Sequence, residues 1–216
     1  MKLSLENKID IAIYRAGLTI NARSSIFSQK VAPIQVNFLG YPGTIGQKGI
    51  DYIISDRFVI REKDEKFYSE NIIFLTNCYY PRDNSRKISD KKFFREKYKI
   101  PENSFVFCSF NSAYKITKYE FKIWMELLVQ VKNSVLLLLA SDNKMKLNLI
   151  KEAKKADIES KRLIFLEKIN LDDHLSRHSL ADLFLDSFNC NAHTSAVDAL
   201  WAGLPILTKA GNRFSS

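Results

Sequence analysis

The stretch that most limits the possible fold lies near the end of the chain, at residues 183–208. A short apolar run that ends at Asp186 predicts a buried strand, and the small and polar residues after it predict a loop. Residues 196–202 predict a helix, which the following glycine and proline would end. Residues 206–207 predict the next strand. Strand, loop, helix and strand in this order predict a βαβ unit.

Three polar residues, His193, Thr194 and Ser195, precede the predicted helix. In a βαβ unit the helix begins at the carboxyl end of the first strand, where free N–H groups and the helix dipole favour an anion. One imidazole and two hydroxyls there suit a phosphate or a diphosphate. Asp198 lies one turn further on the same side of the helix, where its carboxylate could accept hydrogen bonds from a ribose. The spacing is equally explained if Thr194 and Ser195 only cap the helix.

The rest of the chain also alternates between strand and helix signals. Thr117 followed by Glu120 forms a capping box, which predicts a helix that continues through Val131. Further helices are predicted near residues 25–30, at residues 144–156 and from Asp172. Further strands are predicted at residues 9–14, 34–39, 51–55, 72–75, 105–110, 135–139 and 163–166. This alternation predicts an α/β protein with mostly parallel strands.

Residues 78–103 combine few apolar positions with much charge and two prolines. This composition predicts a linker, with one short helix at residues 91–98 that ends before Pro101. We therefore expect one lobe at residues 1–77 and another at residues 104–216. The second lobe should be the better packed of the two.

The chain has a net charge of +9, from 33 Lys and Arg and 24 Asp and Glu. The basic residues are dispersed among acids, which predicts solvated faces and no nucleic-acid partner. No apolar run approaches 18 residues and the first ten residues lack a signal-peptide core, so we predict no membrane span and a cytoplasmic location. The three cysteines have no metal-binding spacing, and no metal site is predicted.

Several motifs carry a resemblance to a known family. The string CNAHTSAVDALWAG at residues 190–203 resembles the nucleotide-sugar motif of the O-GlcNAc transferase family, glycosyltransferase family 41, which also contains the Spindly-type O-fucosyltransferases. Four other segments agree in the same order, so the resemblance runs from about Ile9 to the end. These segments are residues 32–46, 51–56, 109–117 and 172–186.

The resemblance implies a GT-B fold of two Rossmann-like lobes, both incomplete in this chain. Residues 1–77 would be the end of the N-terminal catalytic lobe, and residues 104–216 would be the nucleotide-sugar-binding start of the C-terminal lobe. The chain would be a bacterial-type member or a fragment. We expect such a chain alone to be an inefficient enzyme that binds nucleotide weakly and self-associates.

The resemblance also assigns roles to residues in the predicted exit loops. Lys115 would be the catalytic cation on the β-phosphate, in an exposed loop where it carries little packing. Ser112 would contact the substrate nearby, and His174 and Arg177 would contact the nucleotide base region. Without the resemblance, Lys115 could be a solvent lysine, and the other two could belong to a surface helix.

The same resemblance places His193, Thr194 and Ser195 at the diphosphate and Asp198 at the ribose. Gly40 and Tyr41, in the loop GYPGT, would face the transferred sugar and the acceptor.

The implied reaction is transfer of GlcNAc from UDP-GlcNAc to Ser or Thr hydroxyls of a protein or peptide, with inversion and without a metal or other cofactor. Lys115 and the helix N-terminus would stabilise the departing diphosphate. The alternatives are a GDP-fucose or UDP-hexose donor and an inactive nucleotide-binding fragment. Three departures from the animal enzymes leave the donor open: Ser112 replaces Gln, Leu171 replaces Lys and His178 replaces Gly.

Overall fold

The computed structural model describes residues 2–140 and 142–214, which form two compact units. The first unit contains residues 2–84 together with 213–214, and the second contains residues 85–212 except for 141. Each unit has its own parallel sheet, so no single sheet runs through both halves. The predicted α/β class with two Rossmann-like pieces is confirmed.

The first unit is built on a four-stranded sheet with the strand order β1-β2-β3-β4. All neighbours are parallel, and each strand was predicted to within two residues. The strands are β1 (Ile11–Tyr14), β2 (Ile34–Asn37), β3 (Tyr52–Asp56) and β4 (Asn71–Leu75). Helix α1 (Lys2–Glu6) was not predicted, and α2 (Ser24–Phe27) is shorter than predicted. A 3-10 helix occupies Glu62–Phe67.

The second unit contains a five-stranded parallel sheet with the order β7-β6-β5-β8-β9. Its strands are β5 (Phe105–Ser109), β6 (Ser134–Leu139), β7 (Leu163–Leu166), β8 (Leu183–Leu185) and β9 (Ile206–Leu207). Its helices are α3 (Lys118–Gln130), α4 (Asn143–Lys155), α5 (Leu171–Ser176) and α6 (Thr194–Trp201). The strand order reverses between β5 and β8. Ligands of doubly wound sheets bind outside the carboxyl ends of the strands at this point.

Apolar residues cover both faces of the second sheet, because successive side chains of a strand point to opposite faces. Val106 and Leu137 belong to a buried cluster that includes Ala199 of α6. Phe107 and Leu136 belong to a second cluster, which includes Trp124 of α3. The main cluster of the first unit is much smaller, and Ile11 and Ile13 of β1 are more than half exposed. The second unit is therefore the better packed, as predicted.

The boundary between the units falls inside the predicted linker, and residues 85–103 belong to the second unit. The predicted helix at residues 91–98 is wrong, since a 3-10 turn occupies only Arg95–Tyr98. Tertiary contacts hold the segment before this turn in place. Ser89 N–H donates to Asp172 O at 3.2 Å, and Lys91 Nζ lies 3.0 Å from a carboxylate oxygen of the next residue on α5.

The capping box at the start of α3 is confirmed. Glu120 N–H donates to Thr117 Oγ1 at 3.3 Å, and Thr117 N–H donates to Glu120 Oε2 at 2.8 Å. The two bonds satisfy the backbone N–H groups of Thr117 and Glu120, which have no hydrogen-bond partner within the helix. No helix in the described part of the chain is long and apolar enough to cross a membrane.

The capping box predicts a measurable loss of stability in a Thr117→Ala variant. Removing the hydroxyl leaves the Glu120 N–H without its partner, at a cost of about 1 kcal/mol in the free energy of unfolding. Urea denaturation measures this change, and Thr117→Ser, which keeps the hydroxyl, is the control. Equal midpoints for the Ala and Ser variants would contradict the cap.

Candidate functional site

The exit loops of β5 and β8 meet at the switch point of the second sheet. Lys115 lies at the end of a 3-10 turn after β5, and its Nζ donates to Asn191 O, in the loop after β8, at 3.0 Å. This contact brings a cation to the loop that leads into α6. Lys115 is half-buried and hydrogen-bonded, so its description as an exposed loop lysine with little packing is wrong. The exit loops of β5 and β8 hold the Lys115 side chain between them because both loops leave the same edge of the sheet.

Ser112 lies at the start of the same turn and its side chain is exposed. Its carbonyl accepts a hydrogen bond from Lys115 N–H at 3.0 Å. Ser112 therefore shapes the short turn that carries the lysine, through its backbone.

A buried carboxylate organises the loop after β8. Asp186, which is 3% exposed, accepts at Oδ1 from the N–H groups of Ser187 and Ala192, both at 2.7 Å, and from Asn111 Nδ2 at 3.3 Å. Its Oδ2 accepts from Asn191 Nδ2 at 2.9 Å and from a threonine hydroxyl after β9 at 2.7 Å. In the sequence Asp186 stands only at the end of a predicted strand, and no local pattern indicates this role.

Helix α6 begins two residues earlier than predicted. Its N-cap residue is His193, which makes no side-chain capping bond, and Thr194 and Ser195 form the first two helical positions. The alternative in which Thr194 and Ser195 cap the helix is therefore wrong. Their side chains belong to the first turn, whose N–H groups have no partner within the helix. A helix N-terminus in this arrangement favours an anion.

Asp198, on the second turn of α6, is buried and forms an ion pair. Its Oδ1 accepts from Arg86 Nη1 at 2.8 Å, and both side chains are about nine-tenths buried. Arg86 lies in the segment that was predicted as a linker, and sequence analysis did not select it. The ribose role of Asp198 stays a prediction, with one carboxylate oxygen bound to this guanidinium.

The residues His174 and Arg177 lie on and directly after α5, and their side chains contact each other. Arg177 Nε donates to His174 Nδ1 at 2.8 Å, and Arg177 Nη1 donates to Glu167 O at 2.6 Å. Arg177 is only 3% exposed, so the alternative of a plain surface helix is wrong. The guanidinium points inward because two of its N–H groups have acceptors there, Glu167 O after β7 and His174 Nδ1 on α5.

Three rings form an aromatic cluster at the end of β5. The Phe110 ring lies 5.2 Å from the His174 ring and 5.0 Å from the ring of buried His178, measured between centroids. The Arg177 guanidinium lies 5.5 Å from the Phe110 centroid. In the sequence Phe110 is predicted only as the last residue of a strand. Its position directly after a buried strand was the available signal.

Burial, followed by the nearby Arg177 charge and His178, lowers the pKa of His174 to about 3. His174 is therefore neutral near pH 7. Since its Nδ1 accepts from Arg177, its proton is assigned to Nε2. Burial also lowers the pKa of His178, whose Nδ1 lies 2.7 Å from His174 O. Both rings are then uncharged.

Gly40 and Tyr41 belong to the first unit, in the loop after β2. Asn37 Nδ2 holds this loop by donating to Tyr41 O at 3.1 Å and to Gly43 O at 3.2 Å. A Cβ on Gly40 would lie 2.0 Å from Arg15 O, so only glycine fits there. These contacts give the predicted sugar-facing loop a defined shape.

Among residues 2–140 and 142–214, no three His, Cys, Asp or Glu side chains are grouped to hold a metal ion. The metal-independent reaction stays a prediction.

The molecule has two Rossmann-like units, and the strand order of the second reverses between β5 and β8, where the exit loop of β5 carries Lys115. These features identify it as an α/β protein of the GT-B type. The sequence profile described as "Glycosyl transferase family 41" matches residues 3–93 and 92–216. The chain belongs to this family, that of the O-GlcNAc transferases. The predicted resemblance is confirmed.

Two plant proteins illustrate the similarity. The chain is 36% identical over 212 residues to the probable UDP-N-acetylglucosamine–peptide N-acetylglucosaminyltransferase SEC of Arabidopsis thaliana. It is 29% identical over 214 residues to a protein with the same activity name, SPINDLY, of Hordeum vulgare. Each alignment covers 96% of the chain and 22% of the relative, so the chain spans about a fifth of these proteins.

Solved structures support the fold. A variant of the Thermobaculum terrenum O-GlcNAc transferase superposes with a TM-score of 0.85 and 23% identity, over 99% of the chain and 40% of that protein. The pneumococcal O-GlcNAc transferase GtfA, solved with UDP and GlcNAc, gives a TM-score of 0.58 and 10% identity, over 98% and 45%. At these identities the similarity shows the fold alone.

The neutral state of His174 predicts a pH dependence of stability. The unfolded residue titrates near the ordinary pKa of 6.5, whereas the folded residue titrates at about 3. Protons therefore bind the unfolded state first, so the contribution of His174 is complete above pH 6.5 and is lost as the pH falls from 6.5 towards 3.

Urea denaturation between pH 7.5 and 5 tests this effect in the unaltered chain and in a His174→Gln variant. The variant should lose less stability over this range, with the remaining slope due partly to His178. Parallel curves would show that His174 is not held neutral by the fold.

Proposed function

We propose that this chain carries the donor-binding part of a protein O-glycosyltransferase, which transfers GlcNAc from UDP-GlcNAc to Ser or Thr hydroxyls. The main observation in support is the Lys115 ammonium, which lies 3.0 Å from Asn191 O at the switch point, in the loop that leads into α6. A cation and a helix N-terminus at one crevice suit a diphosphate. The activity for which SEC and SPINDLY are named supports GlcNAc as the sugar and a peptide as the acceptor.

The proposed chemistry is electrostatic. When the bond between the anomeric carbon and the phosphate oxygen breaks, negative charge grows on the departing UDP. Lys115, whose ammonium has three donors, would keep the Asn191 carbonyl as one partner and donate to a β-phosphate oxygen as well. The first turn of α6, with His193, Thr194 and Ser195, would donate to the diphosphate. Groups that are already fixed around the developing charge lower the barrier because they need little reorganisation. We propose that the transfer inverts the anomeric carbon and needs no metal ion.

The aromatic cluster suits the other end of the donor. The neutral His174 ring and the Phe110 ring offer flat faces to a heterocyclic base, and the Nε2–H of His174 is a hydrogen-bond donor. Arg177 fixes the orientation of that imidazole through Nδ1. Asp198 would accept from the ribose while Arg86 holds one of its oxygens.

The proposal extends to the acceptor. Gly40 and Tyr41 would face the transferred sugar and a protein or peptide hydroxyl, since the Asn37 amide and the lack of a Cβ define the shape of their loop. Ser112 would contact the substrate beside Lys115. We further propose a cytoplasmic location and no nucleic-acid partner.

One observation favours a different donor. His178 occupies a buried place against Phe110 and His174, where the resemblance expects glycine. The added ring changes the volume available to a base, so a GDP-sugar or another UDP-hexose is the second candidate.

Calorimetry with UDP, GDP and their sugars tests the donor. We expect UDP to bind this chain more tightly than GDP, because the relatives SEC and SPINDLY are named for an activity on a UDP-sugar. Tighter binding of GDP would replace the proposed donor. Transfer is measured on peptide acceptors with the natural protein, whatever its length, since the chain spans about a fifth of these plant relatives. Binding without transfer to any peptide would favour a nucleotide-binding protein that is not an enzyme.

Replacing Lys115 tests the phosphate site. Lys115→Ala should weaken UDP binding at least tenfold, which corresponds to the loss of a charge-assisted hydrogen bond of about 1.4 kcal/mol or more, and should abolish transfer. The matched control is Lys118→Ala, which removes the same charge from an exposed position three residues away. Equal UDP affinity in the two variants would place the diphosphate elsewhere.

A further inference from the structure

The ammonium of Lys115 rests on one peptide group, that between Asn191 and Ala192. The carbonyl of this group accepts from Lys115 Nζ at 3.0 Å, and its N–H donates to Asp186 Oδ1 at 2.7 Å. In a planar trans peptide the N–H and the C=O point in opposite directions. The bond to Asp186 on one side therefore orients the carbonyl that receives the lysine on the other.

Further contacts keep this peptide from turning. Asn191 Nδ2 donates to Asp186 Oδ2 at 2.9 Å, so the carboxylate holds the same residue by its side chain as well. Ser187 N–H binds the other oxygen at 2.7 Å, and Ser187 Oγ donates to the carbonyl of Cys190 at 2.7 Å. The carboxylate is thus attached to both ends of the loop between β8 and α6.

We propose that Asp186 is a positioning residue for glycosyl transfer, which sets the location of the Lys115 ammonium through the 191–192 peptide. It touches neither donor nor acceptor. Its negative charge strengthens the bond from Ala192 N–H, and polarisation of the peptide makes the Asn191 carbonyl a better acceptor for the cation. That Asp186 aids glycosyl transfer rests on the proposed function. That Asp186 positions the Lys115 ammonium does not depend on it.

Asp186→Asn is the most conservative test. The carboxylate receives five donors at its two oxygens, and an amide has only one oxygen. No orientation of the amide satisfies all five, so the 191–192 peptide loses part of its support. The matched control is Asp182→Asn at the opposite end of β8, where the carboxylate accepts from Val106 N–H and Arg95 and contacts no part of the loop.

The first measurement needs no nucleotide. The rate of acylation of the Lys115 amine, followed by mass spectrometry of its peptide, should rise about threefold or more in Asp186→Asn and stay unchanged in Asp182→Asn. Such a rise reports release of the ammonium, while thermal midpoints of both variants report any general loss of stability. If Lys115 reacts equally in the unaltered chain and in Asp186→Asn, the inference is overturned whatever the chain binds.

The second measurement is a double-mutant cycle on UDP affinity. Asp186→Asn should weaken UDP binding about tenfold in the unaltered background and less than about twofold when Lys115 is already alanine, because the carboxylate acts through the lysine. Equal losses in both backgrounds would overturn the inference. A chain whose acylation rates behave as expected but which binds no UDP would overturn the proposed function and leave the positioning of Lys115 supported.

Discussion

The carboxylate of Asp186 is the group on which the exit loops of β5, β8 and β9 converge. A buried charge is tolerated only when hydrogen bonds replace its water, and here five donors supply them. These donors cannot all reach the carboxylate unless the loop of residues 187–192 closes around it. The loop therefore has one shape, and that shape sets where α6 begins and where the Asn191 carbonyl points.

A second buried carboxylate supports the same loop from the other side. Glu120 is fully buried, and besides capping α3 it accepts a hydrogen bond from Phe188 N–H. The helix that follows the lysine turn and the loop that receives the lysine are thus tied to one side chain. Glu120, which stabilises the start of α3, therefore also fixes the distance between the turn that carries Lys115 and the loop that contains Asn191.

The sequence carried enough information for the strands and for this cap. Parallel strands covered on both faces are continuous apolar runs, so residues 134–139 and 163–166 stand out from the polar segments around them. The Thr117 and Glu120 pair marks a helix start by local hydrogen bonds alone. Each feature depends on neighbours in the chain, which is why its position was predicted to within one or two residues.

Other features depend on partners that are distant in the chain. Arg86 and Asp198 are 112 residues apart, and no local pattern distinguishes an arginine that forms a buried pair from one in a solvated charge run. Residues 85–94 were read as linker because they lack apolar spacing, but polar contacts to α5 and α6 hold them. Arg177 has a polar side chain on an amphipathic segment, and its burial follows from the carbonyl of Glu167 at the end of another strand.

The charges at the switch point are unevenly distributed, and the contacts explain how. The guanidinium of Arg177 is turned inward by His174 Nδ1 and Glu167 O. Burial, and then the proximity of this cation, disfavours a positive charge on His174 and lowers its pKa. The aromatic cluster around Phe110 consequently presents neutral rings. Among the residues that the structure describes, Lys115 Nζ donates to a carbonyl, that of Asn191, and a neutral carbonyl does not compensate the ammonium charge. A ligand with a flat uncharged end and an anionic end would therefore be held in one orientation. Its flat end would lie against the neutral rings, and its anionic end would lie beside the Lys115 ammonium and the start of α6.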